Sequence, residues 1–565
     1  MQDARINIFN TPFSRYGAYL SVTAEDGRLV IHNSRLRFQE GALFAVTAGR
    51  GGEQAAWEVS ASPWEGRLKA DGGEASFYIR DDRTVVFRSR GLDLDFALIS
   101  DGGYGMEYGP RTFRLIASAQ RTYALFQVEK GAGRLSGPVE IQYGRKRIDR
   151  KRNLHVSCRK GEILLALCFG NTEPRDIPLP LEPEKELAAV RAEWEEFLGK
   201  AEAVGCVPDE YAAESWYNLW SSFVRARDVY PYDAVLMSKK FMSSLWSWDH
   251  CFNALALSQI DGQAALEQFL IPFAHQDANG ALPDLLNPNM EVLFTFTKPP
   301  IHGWCFSLLM DAHPYPADVL ERVYGYLEKW TGWWLEFRDP DRDGIPDYPH
   351  GNDSGWDNST LFDEGYFIES PDLPAFLILQ MGCLARIAAK LGRPAAEKEW
   401  KEKAEDLKRK WYAHSWNGRR FAAKQSVSHQ SSENPSSLLS LMPIVLGKEL
   451  DADKMEKLAD ILEKDFLTPN GPATEALNSP DYQSDGYWRG PIWAPSTYLI
   501  ADGLRRGGYR ELAGRIARGF CNMVKNIARG NYENFDAVTG QGLCAPGYTW
   551  TASVYLLLEK EFPLP

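Results

Sequence analysis

Histidine and cysteine are scarce in this chain, with nine and eight copies in 565 residues. The cysteines are scattered without CxxC spacing, and no two histidines stand in an H-x-x-x-H or HExxH pattern. A zinc site, catalytic zinc above all, and a disulfide framework are therefore not expected. No GxxxxGK phosphate cradle is present, which argues against nucleotide use. No run approaches 18 apolar residues, so no spanning helix and no membrane partner is expected. Residues Met1–Arg5 lack a basic segment followed by an apolar one, so no secretory signal is read there and a reduced, cytoplasmic protein is expected. Basic residues are the minority, 63 against 76 acids, for a net charge of −13. Nucleic-acid binding needs concentrated Lys and Arg and is not expected. The one basic run, Arg145–Arg152, reads as a solvated strand pair.

What is there divides in two. Residues 1–180 alternate apolar and polar side chains in short runs, such as Thr84-Val85-Val86-Phe87-Arg88 and Ile163-Leu164-Leu165-Ala166-Leu167. Turn signals such as Asp26-Gly27 and Asp71-Gly72-Gly73 separate them. Period-2 patterning of this kind predicts an antiparallel β-sandwich. Prolines 174, 178, 180 and 183 then stop regular structure, and a charged helix leads on, so residues 181–205 read as a linker with a helix. From residue 206 to 565 the period becomes helical. Leu512, Ile516, Phe520, Met523 and Ile527 form one stripe over Glu511–Ala528. Eleven or twelve such segments, without a fixed sequence repeat, predict a closed α/α toroid rather than a solenoid.

Only Trp57, Trp64 and Trp194 of the 18 tryptophans precede residue 200. Several later ones stand beside charged residues: Trp246-Ser247-Trp248-Asp249, Trp356-Asp357 and Trp488-Arg489. Each indole alone reads as core packing, but indole faces also stack on sugar rings while neighbouring charged groups bond hydroxyls. Segment Gly351–Thr360 carries Asp353 and Asp357 beside Trp356, an apolar wall able to keep a carboxyl protonated. Segment Asn531–Asp536 carries Glu533 in a second turn-rich stretch. Cofactor-free glycosidic hydrolysis needs two carboxyl groups, one acid and one base or nucleophile. Spacing alone does not pair these two.

The motif Asp353-Ser354-Gly355-Trp356-Asp357-Asn358-Ser359 resembles the SGWDNS motif of glycoside hydrolase family 63 and, more distantly, of the family 37 trehalases. Four further segments are similar to that family in order: Trp246–Asp249; Lys298-Pro299-Pro300 with His302 and Trp304; Tyr487-Trp488-Arg489-Gly490-Pro491-Ile492-Trp493; and Glu533-Asn534-Phe535 with Thr539–Gly542. The resemblance implies an (α/α)6 barrel, hydrolysis of an α-linked glucose-like sugar with inversion, Asp357 as general acid and Glu533 as general base. It also implies Trp248, Asp249, Trp304, Trp356, Tyr487, Trp488 and Arg489 as sugar-binding residues. Asp353, Thr360 and Phe535 are mild departures from it. Lys298 replaces a glutamine, and two readings stand: an anion-accepting site, or a lysine pointing to solvent, the latter favoured.

The run Asp339-Pro340-Asp341-Arg342-Asp343-Gly344-Ile345-Pro346-Asp347 has oxygen ligands at positions 1, 3 and 5 and glycine at 6, the start of a calcium loop. Position 12 is His350 instead of glutamate. A structural calcium through Asp339, Asp341, Asp343, Ile345 and Asp347 and a bare acidic turn stand as alternatives. No cofactor is expected for catalysis. The expected partner is a small carbohydrate; the competing readings are a saccharide epimerase or lyase on the same toroid, and a silent carbohydrate-binding protein.

Overall fold

The computed structural model describes residues 5–36, 40–100, 102–137, 139–142, 146–149, 151–158, 161–174, 177–363, 365–431 and 436–563. Of the basic run, Arg145 and Arg150 lie outside the described residues. The chain forms two compact units, residues 1–244 with 287–290, and residues 245–286 with 291–565.

The first unit is built on two antiparallel sheets. In one, an eight-stranded path runs through Thr122–Lys130, Glu162–Gly170, Thr84–Arg90 and Gly73–Ile79, with Leu165 opposite Phe87. In the other, seven strands include Leu20–Glu25, Arg28–Asn33, Ala42–Arg50 and Asp93–Leu98. The predicted alternation is literal in Asp93–Leu98, where Leu94, Phe96 and Leu98 are buried between less buried neighbours. Phe44 and Phe96 from one sheet meet Phe126 and Phe87 from the other edge-to-face, at 5.1–5.5 Å between centroids. Both residues of the Asp26-Gly27 turn have positive φ, the geometry that joins twisted strands by two residues.

This unit extends past residue 180. Helices α1 (Pro183–Ala203) and α2 (Glu210–Ser222) belong to it. Trp194 packs edge-on against Tyr217 and Trp220, and the Tyr217 hydroxyl accepts the Ser14 N–H. The charged helix predicted as a linker is thereby tied to the N-terminal segment through its buried tryptophan.

The second unit is helical: α3 (Asp249–Ser258), α4 (Gly262–Phe273), α5 (His302–Ala312), α6 (Ala317–Phe337), α7 (Asp372–Lys390), α8 (Pro394–Ser415), α9 (Ala452–Ile461), α10 (Ala494–Arg506), α11 (Arg510–Asn522) and α12 (Thr549–Glu561). Six elements close an inner ring, each touching the next: α3, α5, α7, the run Leu438–Glu449, α10 and α12, which returns to α3. Helices α4, α6, α8, α9 and α11 pack outside it. The inner run Leu438–Glu449 coils as a tighter 3-10 helix, carrying Pro443 and breaking at Gly447 (φ 60°). Helix α7 is long and apolar enough to cross a membrane by length and composition, contrary to the sequence expectation, yet most of it is buried in this ring.

Candidate active site

Asp353 fixes the loop that carries Asp357. One Asp353 oxygen accepts the N–H and hydroxyl of Thr297 (2.9 and 3.0 Å), and the other accepts the His350 N–H (3.1 Å). Arg338 adds an ion pair at 3.4 Å. Gly355 follows with φ +75°, and a Cβ there would lie 2.8 Å from the Trp248 ring. Only glycine fits that left-handed, close approach. The turn thus delivers Trp356 into packing, 4.6 Å from Trp488, and Asp357 into a cleft. Burial raises the Asp357 pKa, and the Lys298 ammonium opposes it.

Lys298 does not point to solvent, as the sequence reading favoured; it is 7% exposed. Its Nζ lies 3.1 Å from Asp284 Oδ1 and donates to the Asn352 carbonyl at 2.7 Å. Burial alone would lower its pKa, but Asp284, Asp357 and Asp249 outweigh that and the net shift is upward. Asp284, which no sequence motif marked, holds the cation there.

The second carboxylate stands on a hairpin, Tyr532–Phe535 with Gly542–Pro546. Phe535 also pairs with Ile492, which ties the hairpin to the Tyr487–Trp493 stretch. Tyr487, itself at φ +63°, donates its hydroxyl to Glu533 Oε1 at 3.1 Å. Burial raises the Glu533 pKa; Tyr548 and Tyr487 oppose the shift, and Asp357 adds to it. The Asp357 charge therefore reaches both Glu533 and Tyr487. Asn358 locks the two loops. Its Nδ2 donates to the Gly486 carbonyl (3.0 Å) and its Oδ1 accepts the Trp488 N–H (2.9 Å). Arg489 donates to the Asn358 carbonyl and pairs with Asp363, so it braces the same junction.

Asp249 opens α3 and is 4% exposed, with no hydrogen-bond partner for Oδ2 among the described residues. Burial pushes its pKa up to about 8. His250 turns away to Gln268. The tryptophans are mostly framework. Trp488 stacks on Trp493 at 3.8 Å, Trp493 meets Trp550 edge-on, and Trp248 does the same. Trp304 is buried and donates to Asp502 at 2.9 Å. Beside Asp357, a cavity of about 250 Å³ is lined by His350, Asn358, Phe362, Asp363 and Tyr366. His350 stacks there between Phe296 and Tyr366. Another cavity, about 460 Å³ in the first unit, is lined by Arg67, Arg88, Arg90 and Lys130. Those cations are paired with Glu65, Glu162 and Glu184, which commits them to structural ion pairs.

The loop read for calcium turns on itself. Gly344 N–H bonds Asp339 and Ile345 N–H bonds Asp343, while Gly344 has φ +90°. The carboxylates of Asp339, Asp341 and Asp343 gather within 4.8 Å, as a cation site requires. His350, at the twelfth position, takes no part, since it stacks in the cavity beside Asp357.

A family model described as the mannosylglycerate hydrolase MGH1-like glycoside hydrolase domain matches residues 242–551. A mannosylglycerate hydrolase of Rubrobacter radiotolerans is 23% identical over 56% of this chain and 90% of its own. A family 63 mannosylglycerate hydrolase of Thermus thermophilus, solved with glucose, superposes with a TM-score of 0.51 at 21% identity, over 61% of this chain and 98% of that one. A bacterial glucoamylase solved with acarbose covers 98% of this chain and 93% of its own, at 11% identity and a TM-score of 0.61. The fold is accordingly a β-sandwich followed by an (α/α)6 barrel.

Proposed function

Since the chain belongs to the family of mannosylglycerate hydrolase MGH1-like glycoside hydrolase domains, we propose that this glycosidase inverts the anomeric centre of a short α-glycoside of a glucose- or mannose-like sugar. The observation that carries the reading is that two carboxyl groups from distant segments come into electrostatic reach: burial raises both Asp357 and Glu533, and the Asp357 charge acts on Glu533 and on Tyr487, which is hydrogen-bonded to Glu533. Asp357, whose pKa burial raises, gives its proton to the glycosidic oxygen as the C–O bond breaks. Glu533 takes a proton from the water that attacks the opposite face of the ring, and the new C–O bond carries the inverted configuration. Tyr487, by donating to Glu533, favours the ionised form that a base needs.

Asp249 supports a sugar at the centre of the cleft. Its buried, unpartnered oxygen is a polar group that sugar hydroxyls satisfy. The cavity beside Asp357, about 250 Å³ and walled by His350 and Tyr366, suits a leaving group of one sugar or less. Lys298 is occupied by Asp284 and favours a neutral ring next to the acid.

The test is a panel of α-linked glucobioses, trehalose, α-mannobiose, and mannosyl- and glucosylglycerate, followed by proton NMR of the first anomer released. A β-anomer is expected from an α-glycoside, with kcat lowered about 10²–10⁴-fold in both Asp357→Asn and Glu533→Gln. Retention of configuration, or full activity in either variant, overturns the assignment.

A further inference from the structure

Beyond the sugar cleft, two imidazoles converge on the acidic loop in an arrangement that oxygen ligation does not use. His414, in the last turn of α8, lies with its Nε2 2.5 Å from Glu369 Oε2 and its Nδ1 3.7 Å from Asp343 Oδ2. His429 repeats the pattern: Nε2 is 3.1 Å from Asp341 Oδ2 and Nδ1 is 3.9 Å from the same Asp343 oxygen. The two rings meet edge-to-face at 4.9 Å. Each imidazole therefore has its far nitrogen held by a carboxylate and its near nitrogen aimed at one shared oxygen. Donors of Asp343, Glu369, His414 and His429 all lie within 4.8 Å of one another.

That is how a metal-binding histidine is oriented: the far N–H goes to a carboxylate, which leaves the near lone pair for the ion. Ligands about 2.1 Å from a tetrahedral ion stand about 3.4 Å apart, so the 3.7 and 3.9 Å separations need a closure of only a few tenths of an ångström. A second observation concerns the carboxylates. Glu369 is 1% exposed, and its Oε1 has no hydrogen-bond partner among the described residues; the same holds for Asp347 Oδ2. Buried carboxylates without compensation are costly. Lys410 is paired with Asp406, and Arg338 is shared between Asp353 and Asp347, so neither serves Glu369. Calcium takes six to eight oxygens, and here nitrogen lines the open side while the twelfth loop position supplies no carboxylate.

We propose that Asp343, His414 and His429 bind one divalent first-row transition ion of the zinc class, with Glu369 and Asp341 as the groups that orient the imidazoles. The ion would cross-link the loop after α6, the end of α8 and the turn at His429, three segments otherwise joined through side-chain contacts. Neutral imidazole and carboxylate match such ions better than calcium.

Full-length protein stripped with EDTA is titrated with Zn²⁺, Co²⁺ and Ca²⁺ by calorimetry, with visible absorbance read for Co²⁺ and thermal unfolding for all three. One Zn²⁺ per chain, a visible Co²⁺ band and a rise of about 2–5 °C in unfolding temperature are expected. His429→Gln and His414→Gln should each weaken Zn²⁺ binding at least about tenfold. The His429 side chain is 38% exposed, so His429→Gln decides the matter if the other variant does not fold, and circular dichroism in EDTA checks it. Absence of Zn²⁺ and Co²⁺ binding in the parent protein, or binding unchanged in the histidine variants, overturns the proposal. Stabilisation by Ca²⁺ alone, kept in both variants, overturns it in favour of an oxygen cage.

Discussion

A buried carboxylate with an unpaired oxygen resists ionisation, and Asp249 shows what that does to a folded protein. Its pKa stands near 8 in the fold against about 4 unfolded, so the fold favours the protonated form. The associated stability is fully present below the unfolded pKa and is lost as pH rises towards 8. Asp249→Asn stays neutral throughout. It should therefore gain on the parent between about pH 4 and 8, by on the order of 2–4 kcal/mol at the upper end, while losing most sugar binding. Unfolding curves at pH 5 and pH 8 measure this, and parallel curves would show that Asp249 is already satisfied. Lys298 works in the opposite sense on Asp357, the proposed proton donor, since its ammonium lowers the Asp357 pKa. In Lys298→Gln the acid should hold its proton to higher pH, moving the alkaline limb of kcat/KM up by about one unit. An unmoved limb would separate Lys298 from the acid. The residue type was legible in the sequence, but its burial was not, because Asp284 stands apart from any motif and only the fold brings it within 3.1 Å.

At the scale of elements, the site depends on loops held to one another rather than on helices. Asn358 reaches from the acid loop to both Gly486 and Trp488. Asn358→Ala removes two hydrogen bonds from this junction, at a cost of about 1–2 kcal/mol. The larger effect should be kinetic, a fall of about 10–100-fold in kcat with thermal stability little changed, because misplacing the donor by an ångström wastes its orientation. A loss of stability with full kcat would argue that the junction is mere scaffolding. The motif around Asp357 was readable because glycine, tryptophan and acid act over a few residues. Helix α5 is not legible in the sequence, since His302–Ala312 is apolar on most sides and shows no stripe. The stripe at Leu512, Ile516 and Phe520 did appear, and α11 buries all three residues. Trp304, implied by the resemblance as a sugar-binding residue, donates its indole N–H to Asp502, a partner that sequence adjacency cannot reveal. The histidine pair is the reverse case. His414 and His429 are 15 positions apart, too far for any ligand motif, and a helix end and a turn bring them to 4.9 Å.

For the molecule as a whole, the alternation in residues 1–180 and the helical stripes after 206 made both architectures legible, while the extent of the first unit was not. Residues 181–244 join it through Trp194 and Tyr217, contacts that no local pattern announces. Net charge, by contrast, is a property of composition alone, and it bears on which substrate the protein receives. The chain carries −13. An anionic glycoside such as mannosylglycerate approaches against that field, whereas trehalose or a mannobiose does not feel it. Salt screens such repulsion beyond about 10 Å at 0.1 M. The kcat/KM of an anionic substrate should therefore rise about two- to threefold between roughly 10 and 200 mM NaCl, and that of a neutral one should stay flat. A fall with salt for the anionic substrate would mean that a local cation outweighs the global charge at the cleft. Lys298 is a buried cation that acts on Asp357, and Lys298→Gln would then abolish the fall, showing that its pairing with Asp284 opens to receive the substrate's carboxylate.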